Sequence, residues 1–115
     1  MQRDLDLIKK ILLKIELTTS LNKAIHIEID GYSKNEIDYH VVLLSDSRYV
    51  EAQKTVYGVL PYRITSSGHD FLESSKNDTI WNKAKSVAKE KGVGLTLDLF
   101  KELLASLIKS SLGLK

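Results

Sequence analysis

The spacing of apolar residues changes along the chain and predicts a mainly helical protein with a few short strands. Over residues 4–17, apolar side chains recur at the three- and four-residue intervals of a helix with one buried face. Residues 24–29 alternate apolar and polar side chains, as in a half-buried strand. Residues 49–65 favour two strands joined by a loop, with Val56 and Tyr57 counted as strand formers, and Pro61 marks an irregular or edge region.

A polar motif marks where the second helix begins. Residues 33–36 read Ser-Lys-Asn-Glu, a capping box in which the Ser33 hydroxyl accepts from the Glu36 amide and the Glu36 carboxylate reaches back. A helix should therefore start at Ser33, with an inner face of Ile37, Val41 and Leu44, helped by His40 and Leu43.

Further caps predict three helices in the second half of the chain. Thr65 is placed to cap a short helix that ends near Ser75. Asp78 is placed to cap the next helix, which continues to about Lys91, where Gly92 can end it. Thr96 is placed to cap the last helix, whose apolar stripe is wide: Leu99, Phe100, Leu103, Leu104, Leu107 and Ile108.

Composition changes this outline little. The chain has 115 residues, 43% hydrophobic and 28% charged, which suits one compact domain. It has no cysteine, which excludes disulfides and thiolate chemistry and fits a reducing compartment. No apolar run approaches the roughly 18 residues that a membrane span needs, and the last helix fits a folded core better than a membrane surface. We therefore expect a cytoplasmic protein that does not bind membranes.

The order of the elements predicts the fold class, mainly α with a small antiparallel β-wing. We expect a winged-helix-like core over residues 1–77, in which the usual middle helix is missing or very short. Residues 78–115 should form a C-terminal helical pair packed on that core or on a dimer partner.

Two stretches resemble known proteins. Residues 37–52, IDYHVVLLSDSRYVEA, resemble the recognition helix and first wing strand of many bacterial winged-helix regulators, and residues 62–74, YRITSSGHDFLES, resemble their returning strand and following helix. With the further stretches RDLDLIKKILLKIE and DTIWNKAK, nearly the whole chain resembles a family of short bacterial and prophage-associated proteins of unknown function. The resemblance implies a winged-helix fold and a phage or prophage setting, and no established activity. One position departs from it: the residue after the recognition helix is often glycine in these regulators, because a left-handed C-cap favours glycine, and here it is Arg48. Either the turn is built in another way or Arg48 bears strain.

A winged-helix fold raises the hypothesis of a transcriptional regulator that binds double-stranded DNA. The recognition helix would read base edges in the major groove, where an asparagine can pair with adenine, while the wing contacts phosphates. Residues 33–47 carry one lysine against three carboxylates, a charge of −2 that opposes phosphate binding. The candidate DNA contacts are Ser33, Lys34, Asn35, Tyr39, Arg48, Lys54 and Arg63.

The alternative is a protein-interaction module, a regulatory or anti-host factor on a winged-helix scaffold that does not bind DNA. An acidic face over the recognition helix would favour this alternative or a nucleic-acid mimic. The amphipathic C-terminal helices could pack within the chain or form a homodimer.

An enzyme is not expected. Ser67, His69 and Asp70 invite a catalytic-triad interpretation, but adjacent helical positions point about 100° apart, so these side chains cannot share one face. His26, His40 and His69 lie on three separate elements without the spacing of a metal site. We therefore predict no catalytic residues, no metal and no cofactor.

Three residues are predicted to be structural anchors. Thr65 would cap the helix that leaves the wing, and Gly68 would permit close packing against the first helix. Trp81 could stack on nucleic-acid bases, but its neighbours Ile80, Ala84 and Val87 favour a buried anchor between the core and the C-terminal helices.

Overall fold

The computed structural model describes residues 2–18, 23–91 and 96–113. The chain divides into two compact units, Met1–Asp70 and Phe71–Lys115. The elements are α1 (Leu5–Leu17), α2 (Lys34–Asp46), β1 (Val50–Thr55), β2 (Gly58–Ile64), α3 (Ser66–Ser75), α4 (Asp78–Lys91) and α5 (Leu97–Ser111). The fold is mainly α with a small two-stranded antiparallel sheet, which confirms the predicted α+β class with a wing-like hairpin. In the described part of the chain, no helix is long and apolar enough to cross a membrane.

Helix α1 forms where its apolar spacing predicts it. Asp4 is its N-cap, and its carboxylate accepts from the Leu7 amide at 3.0 Å. The buried face consists of Leu7, Ile8, Ile11, Leu12 and Ile15, all 5% exposed or less.

Helix α2 begins with the predicted capping box. The Glu36 amide donates to Ser33 Oγ at 3.1 Å, and the Ser33 amide donates to Glu36 Oε1 at 3.0 Å. The helix ends in a Schellman motif, because the Tyr49 amide donates to the Leu44 carbonyl and the Arg48 amide to the Ser45 carbonyl. That motif needs a left-handed residue at position 48, and Arg48 has φ +64°. Of the two predicted alternatives, the structure therefore shows the one in which Arg48 bears strain.

Strands β1 and β2 form an antiparallel hairpin with a bulge. Glu51 pairs with Arg63 and Ala52 pairs with Pro61, so Tyr62 is an extra residue in β2. The bulge lies beside the only proline, as its missing N–H predicts.

The connection between the two strands corrects a prediction. Val56 and Tyr57 were expected to favour strand, but they form the turn. Gly58 follows them with φ +116°, the pattern of a type I turn closed by a left-handed glycine. The local turn geometry overrides the strand propensity of two β-favouring side chains.

The predicted strand at residues 24–29 is wrong. The segment is extended, and Ile25 and Ile27 are buried as the alternation requires. The Ile25 amide donates to the Pro61 carbonyl of the hairpin at 2.8 Å, but the segment is not a strand of the sheet. The alternating pattern identified the buried face but not the hydrogen bonding.

Helix α3 starts at the predicted cap. Thr65 Oγ1 accepts from the Gly68 amide at 3.1 Å and donates to the Arg48 carbonyl at 2.7 Å, which ties the start of α3 to the turn after α2. Gly68 does permit a close approach, but the neighbour is different from the one predicted. A Cβ there would lie 2.7 Å from Ile64 Cγ2 and closer still to the Tyr49 carbonyl oxygen, so the closest neighbours of Gly68 are at the base of the hairpin.

The second unit has its own aromatic core. Trp81 is 3% exposed and packs edge-on against Phe71 and Phe100, with ring centroids 6.3 Å and 5.3 Å away. Asn77, not Asp78, caps α4, because Asn77 Oδ1 accepts from the Ile80 amide at 3.1 Å. Thr96 caps α5 as predicted, whereas Gly92 lies outside the described residues.

Candidate functional site

Helix α2 and the hairpin hold all the residues predicted to contact DNA. Ser33, Lys34 and Asn35 are exposed in and before the first turn of α2. Tyr39 is half-buried one turn later, with its ring edge-on to His40 at 5.4 Å. The Ser33 hydroxyl accepts the capping hydrogen bond and is therefore already engaged within the helix.

Two of the four basic side chains among the predicted DNA contacts are in ion pairs. Lys34 Nζ lies 2.9 Å from Asp38 Oδ2, four residues along α2. Arg63 Nη2 lies 2.7 Å from Glu51 Oε1, directly across the hairpin. Hydrogen bonds from Arg63 and then Tyr62 lower the pKa of Glu51, so this carboxylate stays charged and holds the arginine.

The other two basic side chains, Arg48 and Lys54, are exposed and have no ion pair among the described residues. Residues 33–65 contain four basic and four acidic side chains, so α2 and the hairpin carry no net charge. A surface of this composition lacks the excess positive charge on which phosphate binding depends.

The hairpin tip, Val56 and Tyr57, is the most exposed apolar feature of the first unit apart from the end of α1. The two side chains are 93% and 70% exposed. The turn below them is braced, because Thr55 Oγ1 accepts from the Tyr57 amide and donates to the Gly58 carbonyl, both at 3.0 Å. A Cβ on Gly58 would lie 2.5 Å from Asp38 Oδ2, so the turn rests directly on the Lys34–Asp38 pair of α2. This tip was missed by the sequence reasoning, which placed both residues in strands.

An open groove of about 380 Å³ lies between the extended segment 26–32 and the start of α2. Its apolar lining comes from Ile27, Ile29 and Ile37, and its acidic lining from Glu28 and Asp30. Lys34 also lines this groove. The volume is near the lower end of the roughly 300–1,000 Å³ typical of binding pockets.

A buried polar cluster fixes the neighbouring end of α1. His40 is 2% exposed, and its Nδ1 donates to the Glu36 carbonyl at 2.7 Å. Because Nδ1 carries the proton, Nε2 is the acceptor for the Asp4 amide at 2.8 Å. Asp4 Oδ2 accepts from the Tyr32 hydroxyl at 3.2 Å. Burial, followed by the charge of Asp4, raises the pKa of Tyr32, so the phenol remains a donor. The cluster joins α1, α2 and the groove wall, and His40 is the packing histidine that the sequence favoured.

The residues considered for catalysis lie on one stretch of α3. Ser67, His69 and Asp70 are exposed there, and the buried Gly68 lies between the first two. Within residues 2–18, 23–91 and 96–113, no group of three or more histidine or carboxylate side chains could hold a metal ion. Trp81 is buried in the second unit, so its ring offers no face to a base.

The chain resembles proteins without an assigned activity. It is 30% identical over 118 residues to an uncharacterized protein of Haemophilus influenzae, an alignment that covers 98% of this chain and 100% of the relative. No solved structure matches the chain significantly. Residues 2–94 match the family described as "Hypothetical protein (DUF2513)", which confirms the expected family of unknown function. The protein belongs to this family, DUF2513.

Proposed function

We propose that this protein is a binding module that recognises another protein through α2 and the hairpin. The observation that carries the proposal is the hairpin tip, where Val56 and Tyr57 are 93% and 70% exposed on a braced turn. Tyrosine is enriched at protein–protein interfaces because it buries a large rigid surface while its hydroxyl keeps a partner.

The rigidity of the tip supports this use. Side chains presented on an ordered turn lose less conformational entropy on binding than those on a loose loop. Thr55 braces the turn from within, and Gly58 seats it on α2. A turn built for stability alone would carry polar residues at positions 56 and 57, because these favour turns and avoid exposing apolar surface.

The charge of the surface supports a protein partner over DNA. Lys34 and Arg63 are neutralised by Asp38 and Glu51 at 2.9 Å and 2.7 Å. Breaking such pairs to bind phosphates would leave carboxylates facing a polyanion, which costs affinity.

Photocrosslinking tests the proposal. A benzophenone amino acid would replace Tyr57 in the producing cells, with the same substitution at exposed His69 on α3 as a control. We expect a covalent adduct to a protein at position 57 and a much weaker one at position 69. Equal labelling at the two positions, no adduct, or adducts to nucleic acid alone would overturn the proposal.

The second candidate is a winged-helix regulator that binds double-stranded DNA, and Arg48 favours it. Arg48 occupies a left-handed position that glycine would fill without strain, and its exposed side chain has no ion pair among the described residues. Backbone strain at a charged exposed residue is a reason to suspect a binding role. Lys54, also exposed on the hairpin, would be the second phosphate contact.

Fluorescence anisotropy with mixed-sequence duplex DNA at low salt tests this candidate. Two phosphate contacts predict affinity that falls with salt with a logarithmic slope of about −2, since each contact adds roughly −0.9. Arg48→Gln should weaken binding and make the slope shallower by about one, whereas His69→Gln should change neither. Salt-independent binding or none at all would eliminate the DNA candidate.

The proposal is for a binding protein and not an enzyme, because the three candidate triad residues point outward from different positions of α3. A reducing, cytoplasmic setting is part of the proposal and rests on the absence of cysteine from the sequence. A prophage origin rests only on the sequence resemblance.

A further inference from the structure

The hairpin tip and the groove lie side by side on one surface of the first unit. Gly58, next to the tip, rests on the Lys34–Asp38 pair, and Lys34 also lines the groove. A smaller cavity is lined by both Tyr57 of the tip and Ile37 of the groove, which connects the two features. The surface therefore presents an apolar projection next to an apolar recess.

The charges around the tip and the groove are opposite. Lys54, two residues before the tip, is exposed and has no ion pair among the described residues. Asp30, in the acidic lining of the groove, is likewise exposed and without an ion pair in the part of the chain that the structure describes. Glu28 lies beside it and contacts His26 at 3.3 Å. A lysine near the projection and carboxylates around the recess are complementary.

We propose that the partner of this surface is a second copy of the chain, with the tip of each copy seated in the groove of the other. A two-fold interface uses the same patch on both partners, so it requires a patch that is complementary to itself. An apolar projection beside an apolar recess meets that requirement. The inference rests on the proposed function, because it names the partner of the same surface.

In this arrangement Tyr57 contacts the isoleucines of the partner's groove, and Lys54 pairs with the partner's carboxylates. The exposed apolar area of the tip is removed from water, and the unpaired charges of Lys54 and Asp30 acquire partners. Apolar burial would provide most of the affinity, while the charges would fix the orientation of the two copies.

Sedimentation equilibrium over a wide concentration range tests the dimer. The full chain should dimerise, and the double variant Val56→Ser, Tyr57→Ser should raise the dissociation constant at least tenfold. The matched control is Leu99→Ser, Leu112→Ser, which removes two exposed leucines of 49% and 67% exposure from the second unit and should leave the constant unchanged. A monomeric wild type would overturn the proposal, because no dimer would then exist. A dimer that is weakened only by the control substitutions would also overturn it, because that dimer would form through α5.

A charge exchange tests the orientation. Lys54→Glu and Asp30→Lys should each weaken the dimer several-fold, and the two together should restore it, because each copy then carries the reversed pair. Far-ultraviolet circular dichroism and the thermal midpoint check that each variant is folded. If the loss of dimerisation free energy in the double variant equals the sum of the losses in the two single variants, the tip does not contact the groove in this way.

The crosslink at position 57 separates this inference from the proposed function. An adduct of twice the chain mass, with the second attachment site among the groove residues, supports both. An adduct to a different protein overturns the second copy as partner and leaves the proposed function standing. The absence of any protein adduct overturns both.

Discussion

The two ends of the hairpin are built in opposite ways. At the hairpin base, defined by Tyr49, Thr65 and Gly68, backbone packs on backbone and the threonine hydroxyl joins two helices. At the hairpin tip, Val56 and Tyr57 project from the protein with most of their surface exposed. The two ends are separated only by the hairpin, which spans residues 50–64.

This contrast indicates which changes the protein can accept. Substitutions at the base alter contacts that hold α2, the hairpin and α3 together, so they should change the free energy of unfolding. Substitutions at the tip remove surface that the folded chain does not use, so they should change binding and leave stability unaffected.

The largest effect is expected from Gly68→Ala at the base. The new Cβ would collide with the Tyr49 carbonyl, which is backbone and cannot move aside cheaply. Overpacking of this kind should lower the free energy of unfolding by about 3 kcal/mol, measured by urea denaturation. Gly31→Ala is the control. Gly31 has a positive φ of +89° but open space around it, so this substitution should lower the free energy of unfolding by only about 1 kcal/mol. Equal costs for the two variants would contradict the close packing at Gly68.

His40→Leu tests whether the buried cluster at the end of α1 contributes stability as the base does. The variant keeps the volume but leaves the Asp4 amide without its partner and removes the side-chain bond to the Glu36 carbonyl. The loss should be about 2 kcal/mol, read from the same urea transitions. His26→Leu, at an exposed position, should change stability by less than about 0.5 kcal/mol. A tolerated His40→Leu would show that these hydrogen bonds are replaced by water.

Two threonines allow the base and the tip to be compared with the same substitution. Thr65→Val removes a helix cap and the bond to the Arg48 carbonyl, and should cost about 1.5 kcal/mol. Thr55→Val removes two hydrogen bonds at the turn, where water can replace them, and should cost about 0.5 kcal/mol. Chemical denaturation of both variants in parallel gives the difference, and a larger cost at Thr55 would reverse the comparison.

A gain in stability is expected at the turn before the base. Arg48→Gly keeps the Schellman motif and relieves the positive φ, which should raise the free energy of unfolding by about 0.5–1 kcal/mol. Arg48→Ala keeps the strain and removes the charge, so it should not stabilise the protein. If alanine stabilises as much as glycine, the benefit comes from losing the side chain and not from the backbone.

The smallest effect on stability is expected at the tip. Val56→Ser together with Tyr57→Ser should shift the free energy of unfolding of the monomer by no more than about 0.5 kcal/mol. The measurement belongs at low protein concentration, where association does not add to stability. A large loss would mean that the tip packs within the chain, and the contrast between the two ends would be wrong.

Local patterns predicted much of the fold. The capping box at Ser33, the caps at Thr65 and Thr96, and the buried face of α1 depend on residues within one or two turns, and all were confirmed. Such features are readable because the sequence spacing is also the spatial spacing.

Two of the errors fell where a distant neighbour decides, whereas the turn at Val56 and Tyr57 and the cap at Asn77 are local. Residues 24–29 have the alternation of a strand and are bonded to the hairpin through the Ile25 amide, but they do not join the sheet. Gly68 was predicted to pack on α1, because the sequence does not indicate which backbone segment comes close to it. The ion pairs of Lys34 and Arg63 changed the interpretation of the candidate DNA contacts, and the pair with Glu51 spans twelve residues.

The sequence by itself determined the helices, their caps, the hairpin and the α+β class, because these depend on period, propensity and local hydrogen bonds. Only the tertiary structure decided which charges are neutralised, that Val56 and Tyr57 project at a tip, and that a groove with acidic lining lies beside them. The Glu51–Arg63 pair and the groove arise when segments distant in sequence are brought together, so no local pattern encodes them.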